Sequence, residues 1–206
     1  GIQEYWDLAE KYPSFQGGFI WDFMDQALWK TDERGKWLAY GGDFGDKPND
    51  GFFVMNGCVL SDRELEPGYW EIKHVYQNWT ARVTDDRKKV VIRNKNYFVD
   101  ATGVSCTWTV LRNGEPFASG EFALDGLKPQ SEQSYALPAA ASMALSKSGL
   151  ISLRVKFLKA KREIASDQME LNPDASREAF ADLRVARIAA PQMTEDDTTR
   201  TFAVPG

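Results

Sequence analysis

The strongest constraint on the fold is a series of short β-type runs, separated by turn residues, between positions 80 and 190. In residues 150–158 apolar and polar side chains alternate, so one face of a strand carries the apolar residues. Asn113-Gly114 is a turn dipeptide typical of hairpins. The predicted strands are Thr80–Thr84, Lys89–Arg93, Val104–Leu111, Phe117–Leu124, Gln133–Leu137, Leu150–Leu158 and Ala181–Ile188. Seven short strands in one segment indicate a sandwich of the immunoglobulin or fibronectin type III kind.

The first 80 residues have a different character, because they hold six of the seven tryptophans and many Gly-rich turns. Apolar residues at near-helical spacing before Pro13 predict a helix, and residues 15–23 predict a short buried strand. A helix followed by a buried strand is half of an α/β repeat. Asp22 and Asp25 come where that strand should end, at the edge where barrels bind ligands. Residues 30–62 read as a structured, functional loop.

The predicted fold class is therefore mixed: the C-terminal segment of a partial (β/α) barrel, followed by an all-β immunoglobulin-like or fibronectin-III-like sandwich. We place the barrel segment with its active-site loop at residues 1–79 and the sandwich at residues 80–190. The polar, threonine-rich residues 191–206 are interpreted as a linker toward a further domain. The polar stretch 159–179 is expected to be a long loop with a short strand at Asp167–Leu171.

Composition argues against several classes of function. The net charge is −5 and the pI is about 5.1, without the clustered Lys and Arg of a nucleic-acid surface. No apolar run approaches the roughly 20 residues that cross a bilayer. One histidine, His74, excludes a multi-histidine metal site, and we expect it to be structural or exposed. Cys58 and Cys106 lie far apart in apolar stretches, which favours two buried free thiols.

Three blocks of sequence carry a resemblance to a known family. They are Gly17–Leu28 (GGFIWDFMDQAL), Tyr40–Asp50 (YGGDFGDKPND) and Phe53–Gly57 (FVMNG), and their order and spacing are similar to those of the large β-galactosidases of glycoside hydrolase family 2. The segment Pro67–Lys73 resembles the exit of that family's catalytic barrel. The second half resembles, in topology, the sandwich that follows the barrel.

The resemblance assigns roles to four residues. Trp21 matches the tryptophan whose ring lies beside the galactosyl group. Asn56 matches an asparagine that lines the galactose subsite and gives its side-chain oxygen to a bound sodium ion. Phe53 matches the residue whose backbone carbonyl joins that sodium site, and Asn49 matches an asparagine near a secondary magnesium site. An aromatic plane with amide groups suits a sugar, and neutral oxygens suit a monovalent cation.

The resemblance also implies what this chain lacks. In the family the nucleophile and the acid/base are two glutamates that precede the equivalent of Gly1, as do the ligands of the active-site magnesium. We therefore expect no catalytic residue here, and no hydrolysis by the chain alone. The implied partners are a β-galactoside and the rest of the barrel with its flanking domains, with homo-oligomerisation and the compartment left open. No nucleic acid and no membrane are expected as partners.

Two other classes of function stay open. One is a non-catalytic carbohydrate-binding module that uses the aromatic first half, and the other is a structural immunoglobulin-like spacer. Without the resemblance, Trp21 would be a core residue and Asn56 a turn residue. We expect Asp43, Asp46 and Asp50 to cap turns, Asp22 and Asp25 to support the loop by hydrogen bonds, and Trp108 to lie in the sandwich core.

Overall fold

A computed structural model describes residues 1–175, 192–195 and 200–203. Three α-helices, eleven strands and one 3-10 helix are assigned within those ranges. The helices are α1 (Ile2–Lys11), α2 (Pro67–Val75) and α3 (Ala139–Leu145), and the 3-10 helix is Gly51–Val54. The strands are β1 (Leu28–Asp32), β2 (Gly35–Ala39), β3 (Trp79–Val83), β4 (Lys89–Asn94), β5 (Val104–Arg112), β6 (Glu115–Phe122), β7 (Ser131–Ala136), β8 (Ile151–Lys159), β9 (Arg162–Glu170), β10 (Gln192–Glu195) and β11 (Arg200–Ala203).

Two antiparallel sheets make up the second half of the chain. One has the strand order β3-β4-β7 and the other has the order β6-β5-β8-β9. Their apolar faces share one core, in which the ring of Trp79 on β3 lies 5.7 Å from the ring of Phe157 on β8. Alternate residues of β8 point into this core and are at most 1% exposed: Ile151, Leu153, Val155 and Phe157. The arrangement is consistent with the predicted β-sandwich.

The strand predictions are confirmed at six positions, with small shifts at the ends of β3 to β8. The long polar loop expected over residues 159–179 is wrong for most of its described part, because β9 runs from Arg162 to Glu170 and pairs with β8. The short strand expected at Asp167–Leu171 falls within the end of β9 as far as Glu170, and residues 176–179 lie outside the described residues. The polarity of β9 arises because it is an edge strand with one exposed face. In the turn between β8 and β9, Ala160 and Lys161 have positive φ. The turn lacks the Gly or Asn that usually occupies such positions, so the sequence did not indicate a hairpin there. The strand predicted at Ala181–Ile188 lies outside the described residues.

The partial barrel predicted for residues 1–79 is not confirmed. Residues 15–23 form no strand, and Phe19 is fully exposed rather than buried. In the described part of the chain, the parallel pairing is limited to one isolated bridge between Met24 and Val59. Strands β1 and β2 pair antiparallel, as a hairpin. A parallel strand is normally buried on both faces by neighbouring strands and helices, and this segment supplies few of them.

Helix α1 buries no residue, and large apolar side chains are exposed along much of the first half. Most of the buried hydrophobic residues belong instead to the sandwich. Residues 1–78 therefore do not enclose a sizeable core of their own. The described helices include none with the length and hydropathy needed to span a bilayer.

The two halves are joined by a buried polar junction. Gln77 is 7% exposed, donates to the Asp167 carboxylate at 2.9 Å and accepts the Ser166 N–H at 3.1 Å. The other oxygen of Asp167 accepts the backbone N–H of Ala81 at 2.6 Å. His74 is half exposed and lies 3.9 Å from Asp167, in agreement with a structural role. The predicted domain limits and the linker at 191–206, where β10 and β11 form a hairpin, stay predictions.

Candidate functional site

Two loop segments, residues 22–26 and 54–59, run side by side and are joined by five backbone hydrogen bonds. We call these two segments the loop pair. These bonds run from the N–H of Asp22 to Asn56 O (3.2 Å), Asp25 to Val59 O (2.9 Å), Gln26 to Val54 O (2.9 Å), and both Cys58 and Val59 to Phe23 O (3.1 Å each). The pairing brings Trp21 and Asn56, which are 35 residues apart in sequence, to adjacent places in the fold.

Trp21 presents its ring to solvent. The side chain is 77% exposed, and the Trp21–Asp22 peptide bond is cis. A core role for Trp21, which its apolar neighbours alone would favour, is wrong in this structure. Its neighbour Asp22 accepts hydrogen bonds from the side chain of Gln26 and from the backbone N–H of Phe23 and Met24. The bond from Gln26 is the largest cause that lowers the pKa of the Asp22 carboxyl.

The two predicted sodium ligands are in contact. The Asn56 side-chain amide donates a hydrogen bond from Nδ2 to the backbone carbonyl of Phe53. Phe53 belongs to the 3-10 helix Gly51–Val54, after which the N–H of Met55 bonds back to Phe52 O at 2.9 Å. Both Phe53 and Asn56 are exposed residues. Rotation of the amide by 180° would direct Oδ1 to the same place and leave two neutral oxygens together.

Asp25 is buried and bonds to Gly57, the residue that follows Asn56. Asp25 is 7% exposed, and its Oδ1 accepts the backbone N–H of Gly57 at 2.7 Å. The expectation that Asp22 and Asp25 support the loop by hydrogen bonds is confirmed. Cys58 is also buried and free, and its thiol lies 3.1 Å from the carbonyl oxygen of Phe23.

The aspartates of residues 40–51 hold the loop together. Asp43 accepts the N–H of Tyr40 at 2.9 Å and Asp46 accepts that of Gly42 at 3.0 Å, which confirms their turn-capping roles. Asp50 is the residue before the 3-10 helix, but its side chain makes no capping bond there. Within the described ranges, no group of three or more His, Cys, Asp or Glu is placed to hold a metal ion.

Asn49 uses both ends of its amide inside the same loop. Oδ1 accepts the N–H of Gly51 at 3.1 Å, and Nδ2 donates to the backbone carbonyl of Asp46 at 2.9 Å. Asn49 precedes the 3-10 helix in sequence and bonds to Asp46 and Gly51. Asn56 follows the helix and bonds to Phe53, so the two asparagines share no partner among these bonds. The geometry of Asn49 is that of a turn-stabilising residue.

Sequence reasoning missed Lys30. Its ammonium group donates to the backbone carbonyl of Asp43 and lies 5.3 Å from the ring centroid of Phe44 and 5.8 Å from that of Trp37. Lys30 therefore ties strand β1 to the 40–51 loop. The available signal was the aromatic residues in the sequence around Lys30, since cations favour the faces of aromatic rings.

Two family models match this chain in sequence. Residues 1–81 match the model described as "Glycosyl hydrolases family 2, TIM barrel domain". Residues 90–172 match the model described as "Beta-galactosidase, domain 4". The first match contains Trp21, Asn49, Phe53 and Asn56, and the second covers the sandwich from β4 to β9. The two matches follow one another in the order of the predicted halves.

Proposed function

This chain belongs to the β-galactosidases of glycoside hydrolase family 2, and from that premise we propose that its first half supplies one wall of a galactose subsite. The reaction served is hydrolysis of terminal non-reducing β-D-galactose residues with retention at the anomeric carbon. The observation that carries the proposal is the placement of the exposed Trp21 next to Asn56 and Phe53, three residue types that suit a sugar and a cation.

Each side chain has a distinct task in the proposed subsite. The exposed ring of Trp21 offers a flat apolar surface to the C–H face of a galactosyl group. The amide of Asn56 can donate to and accept from sugar hydroxyls, which fixes the orientation of the ring. Hydrogen bonds lower the pKa of the Asp22 carboxyl, the bond from Gln26 most of all, and Asp22 orders the backbone that follows Trp21 by accepting the N–H of Phe23.

Sodium is compatible with the Phe53 carbonyl and the Asn56 amide oxygen, because both are neutral oxygen donors. The Asn56 amide contacts the Phe53 carbonyl through Nδ2, the atom that exchanges places with Oδ1 when the amide is rotated. We propose that these two residues contribute to holding the ion in the intact enzyme. A bound sodium would supply electrostatic attraction for a sugar hydroxyl oxygen. The proposal of a secondary magnesium near Asn49 rests on the resemblance alone, and no step is derived through it.

Hydrolysis with retention needs two carboxyl groups about 5 to 5.5 Å apart, one as nucleophile and one as acid/base. Asp22 accepts hydrogen bonds from Phe23 and Gln26, and Asp25 accepts the N–H of Gly57, so we assign both aspartates a supporting role. We propose that both catalytic carboxylates, and the active-site magnesium ligands, come from other parts of the enzyme. The 206 residues alone are then expected to be inactive.

The exposed apolar surface of residues 1–79 favours this proposal over an independent carbohydrate-binding module. Helix α1 buries no residue, and Phe19, Trp21 and Phe52 are each more than 70% exposed. A module that folds and binds alone would enclose a core, whereas a wall of a larger barrel would leave such faces for its neighbours. A spacer function would not require the accessible Trp21 and Asn56.

The test is made in the intact enzyme, with Trp21→Ala and Asn56→Ala as the variants and Trp70→Ala as a matched control. Trp70 is 55% exposed on α2, outside the loop pair. We expect the two site variants to lose at least tenfold in kcat/KM for a β-galactoside, and to bind free galactose more weakly. The control should stay within about twofold. Unchanged kinetics in both site variants would refute the proposed subsite.

The expected inactivity of the isolated chain has a separate assay. The purified 206-residue chain is incubated with a chromogenic β-galactoside, and the released chromophore is compared with the uncatalysed rate. No release above background is expected. Sustained turnover that is abolished by a carboxylate substitution within the chain would show that catalytic residues are present here.

A further inference from the structure

We infer that Asp25 is a positioning residue for Asn56, acting through the backbone of Gly57. The inference rests on the proposed function of Asn56 as a ligand of sugar and sodium, and it adds a residue that the resemblance did not assign. Asp25 is mostly buried, at 7% exposure, so we assign it the role of fixing the place of the exposed Asn56.

The contact is direct and part-buried. Asp25 Oδ1 accepts the N–H of Gly57 at 2.7 Å, and the residue is 7% exposed. A carboxylate that accepts a backbone N–H makes a charge-assisted hydrogen bond, which is shorter and stronger than a neutral one. The bond spans 32 residues of sequence and therefore joins two segments rather than closing a local turn.

The backbone around Gly57 leaves no room for a side chain at that position. A β-carbon at position 57 would lie 2.2 Å from the Asp25 amide nitrogen and 2.6 Å from the Met24 carbonyl carbon. The glycine thus lets the second segment approach the first closely enough for the Asp25 carboxylate to reach its N–H. The polar contact and the steric fit depend on each other.

Asn56 is held on both sides by this arrangement. Its own carbonyl accepts the N–H of Asp22 at 3.2 Å, and the following residue is tied to Asp25. With the backbone fixed at both points, the amide side chain reaches the Phe53 carbonyl. Loss of the Asp25 bond would free one of the two anchors, and the Asn56 oxygen would be presented over a wider range of positions.

The experiment compares Asp25→Asn and Asp25→Leu in the intact enzyme. Asparagine keeps an oxygen that can accept the Gly57 N–H but loses the charge, whereas leucine has similar volume and no acceptor. We measure the sodium concentration for half-maximal activity and the KM for a β-galactoside. We expect both to rise about threefold in Asp25→Asn and at least tenfold in Asp25→Leu, with kcat per folded molecule changed less than KM.

Asp62→Asn is the matched control, because Asp62 is an exposed aspartate whose carboxylate accepts the N–H of Glu64 at 3.1 Å. Its sodium response and KM should match those of the wild type. A purely structural role of Asp25 would lower the melting temperature and the yield of folded enzyme, but would leave the sodium response and KM of the folded fraction unchanged. That result would overturn the inference. If Asp25→Leu does not fold, the sodium response and KM of Asp25→Asn still test the inference.

Asn56→Ala separates this inference from the proposed function. If Asn56→Ala alters the sodium response and KM while both Asp25 variants do not, the subsite stands and the positioning role fails. If Asn56→Ala alters neither, the subsite itself fails and the inference falls with it. In the double variant of Asp25→Asn with Asn56→Ala, we expect no further change beyond Asn56→Ala, because the effect of Asp25 passes through Asn56.

Discussion

Gly57 packs so tightly on Asp25 that an added β-carbon would lie 2.2 Å from the Asp25 amide nitrogen. Backbone atoms at this place cannot move aside as the end of a flexible side chain can. The contact holds together the two segments that carry Trp21 and Asn56, so its removal can be tested by stability as well as by activity.

Gly57→Ala is therefore expected to destabilise the loop pair by about 1–3 kcal/mol, the usual range for overpacking. Hydrogen exchange at the Asp25 amide, which bonds to Val59 O, reports the opening of this pair, and exchange should become faster in the variant.

Gly68→Ala is the matched control for this substitution. Gly68 lies in the first turn of α2, and the nearest atom to an added β-carbon is Cys58 Cβ at 4.0 Å. Alanine should be tolerated there, with a gain of about 0.5–1 kcal/mol from its better helix propensity. Equal effects of the two substitutions would contradict the steric argument.

The junction between the halves gives a second prediction. Asp167→Ala removes the acceptor for both the Gln77 side chain and the Ala81 N–H, and leaves these part-buried donors without their partner. We expect a loss of about 1–3 kcal/mol in the free energy of unfolding, measured by chemical denaturation.

The control for the junction is Glu132→Gln. Glu132 pairs with Arg82 at 3.1 Å, but both side chains are substantially exposed, so the loss should be at most about 1 kcal/mol. A junction variant that unfolds at the same denaturant concentration as this control would show that the buried network contributes little.

The two cysteines should differ in reactivity. Burial raises the pKa of the Cys106 thiol to about 12, and the residue is 1% exposed in the sandwich core. Because the thiolate is the reactive form, Cys106 should be alkylated only as fast as the sandwich opens. Cys58 is 8% exposed on the loop pair and should react first.

The measurement for the thiols is mass spectrometry of alkylated peptides over time, under native conditions and in denaturant. Both residues should be labelled rapidly once unfolded, since both are free. Rapid labelling of Cys106 in the folded chain would contradict its placement in the core.

The hairpin of β8 and β9 gives a prediction on pH. Lys156 and Glu163 form an ion pair at 2.8 Å, and the hydrogen bond from Lys156 is the largest cause that lowers the pKa of the Glu163 carboxyl. A carboxyl whose folded pKa is below its unfolded value of about 4.3 stabilises the fold above that value. This contribution disappears as the pH falls through the folded pKa.

Glu163→Gln should therefore cost about 0.2–1 kcal/mol at pH 7, a small amount because both groups are partly exposed, and less at pH 3. Denaturation of the wild type and the variant at both pH values measures the difference. Glu121→Gln, at an exposed glutamate on β6, is the control for the substitution itself. A difference that grows as the pH falls would contradict the pairing.

The sequence alone was enough for the elements whose patterns are local. Alternation in residues 150–158 predicted β8, and Asn113-Gly114 predicted the hairpin between β5 and β6, because each pattern is decided by a few neighbouring residues. Three sequence blocks also led to the family, which the family models confirm, while the roles of Trp21, Phe53 and Asn56 stay predictions.

Only the tertiary structure decided the features that depend on distant partners. It placed β9 at a sheet edge, where polar residues are compatible with a strand, and it left Trp21 exposed where an apolar run had suggested a core. It also joined Asp25 to Gly57 and Gln77 to Asp167, over 32 and 90 residues of sequence. The burial of a residue and its hydrogen-bond partners depend on segments that are distant in sequence. The neighbouring residues in the sequence therefore do not reveal them.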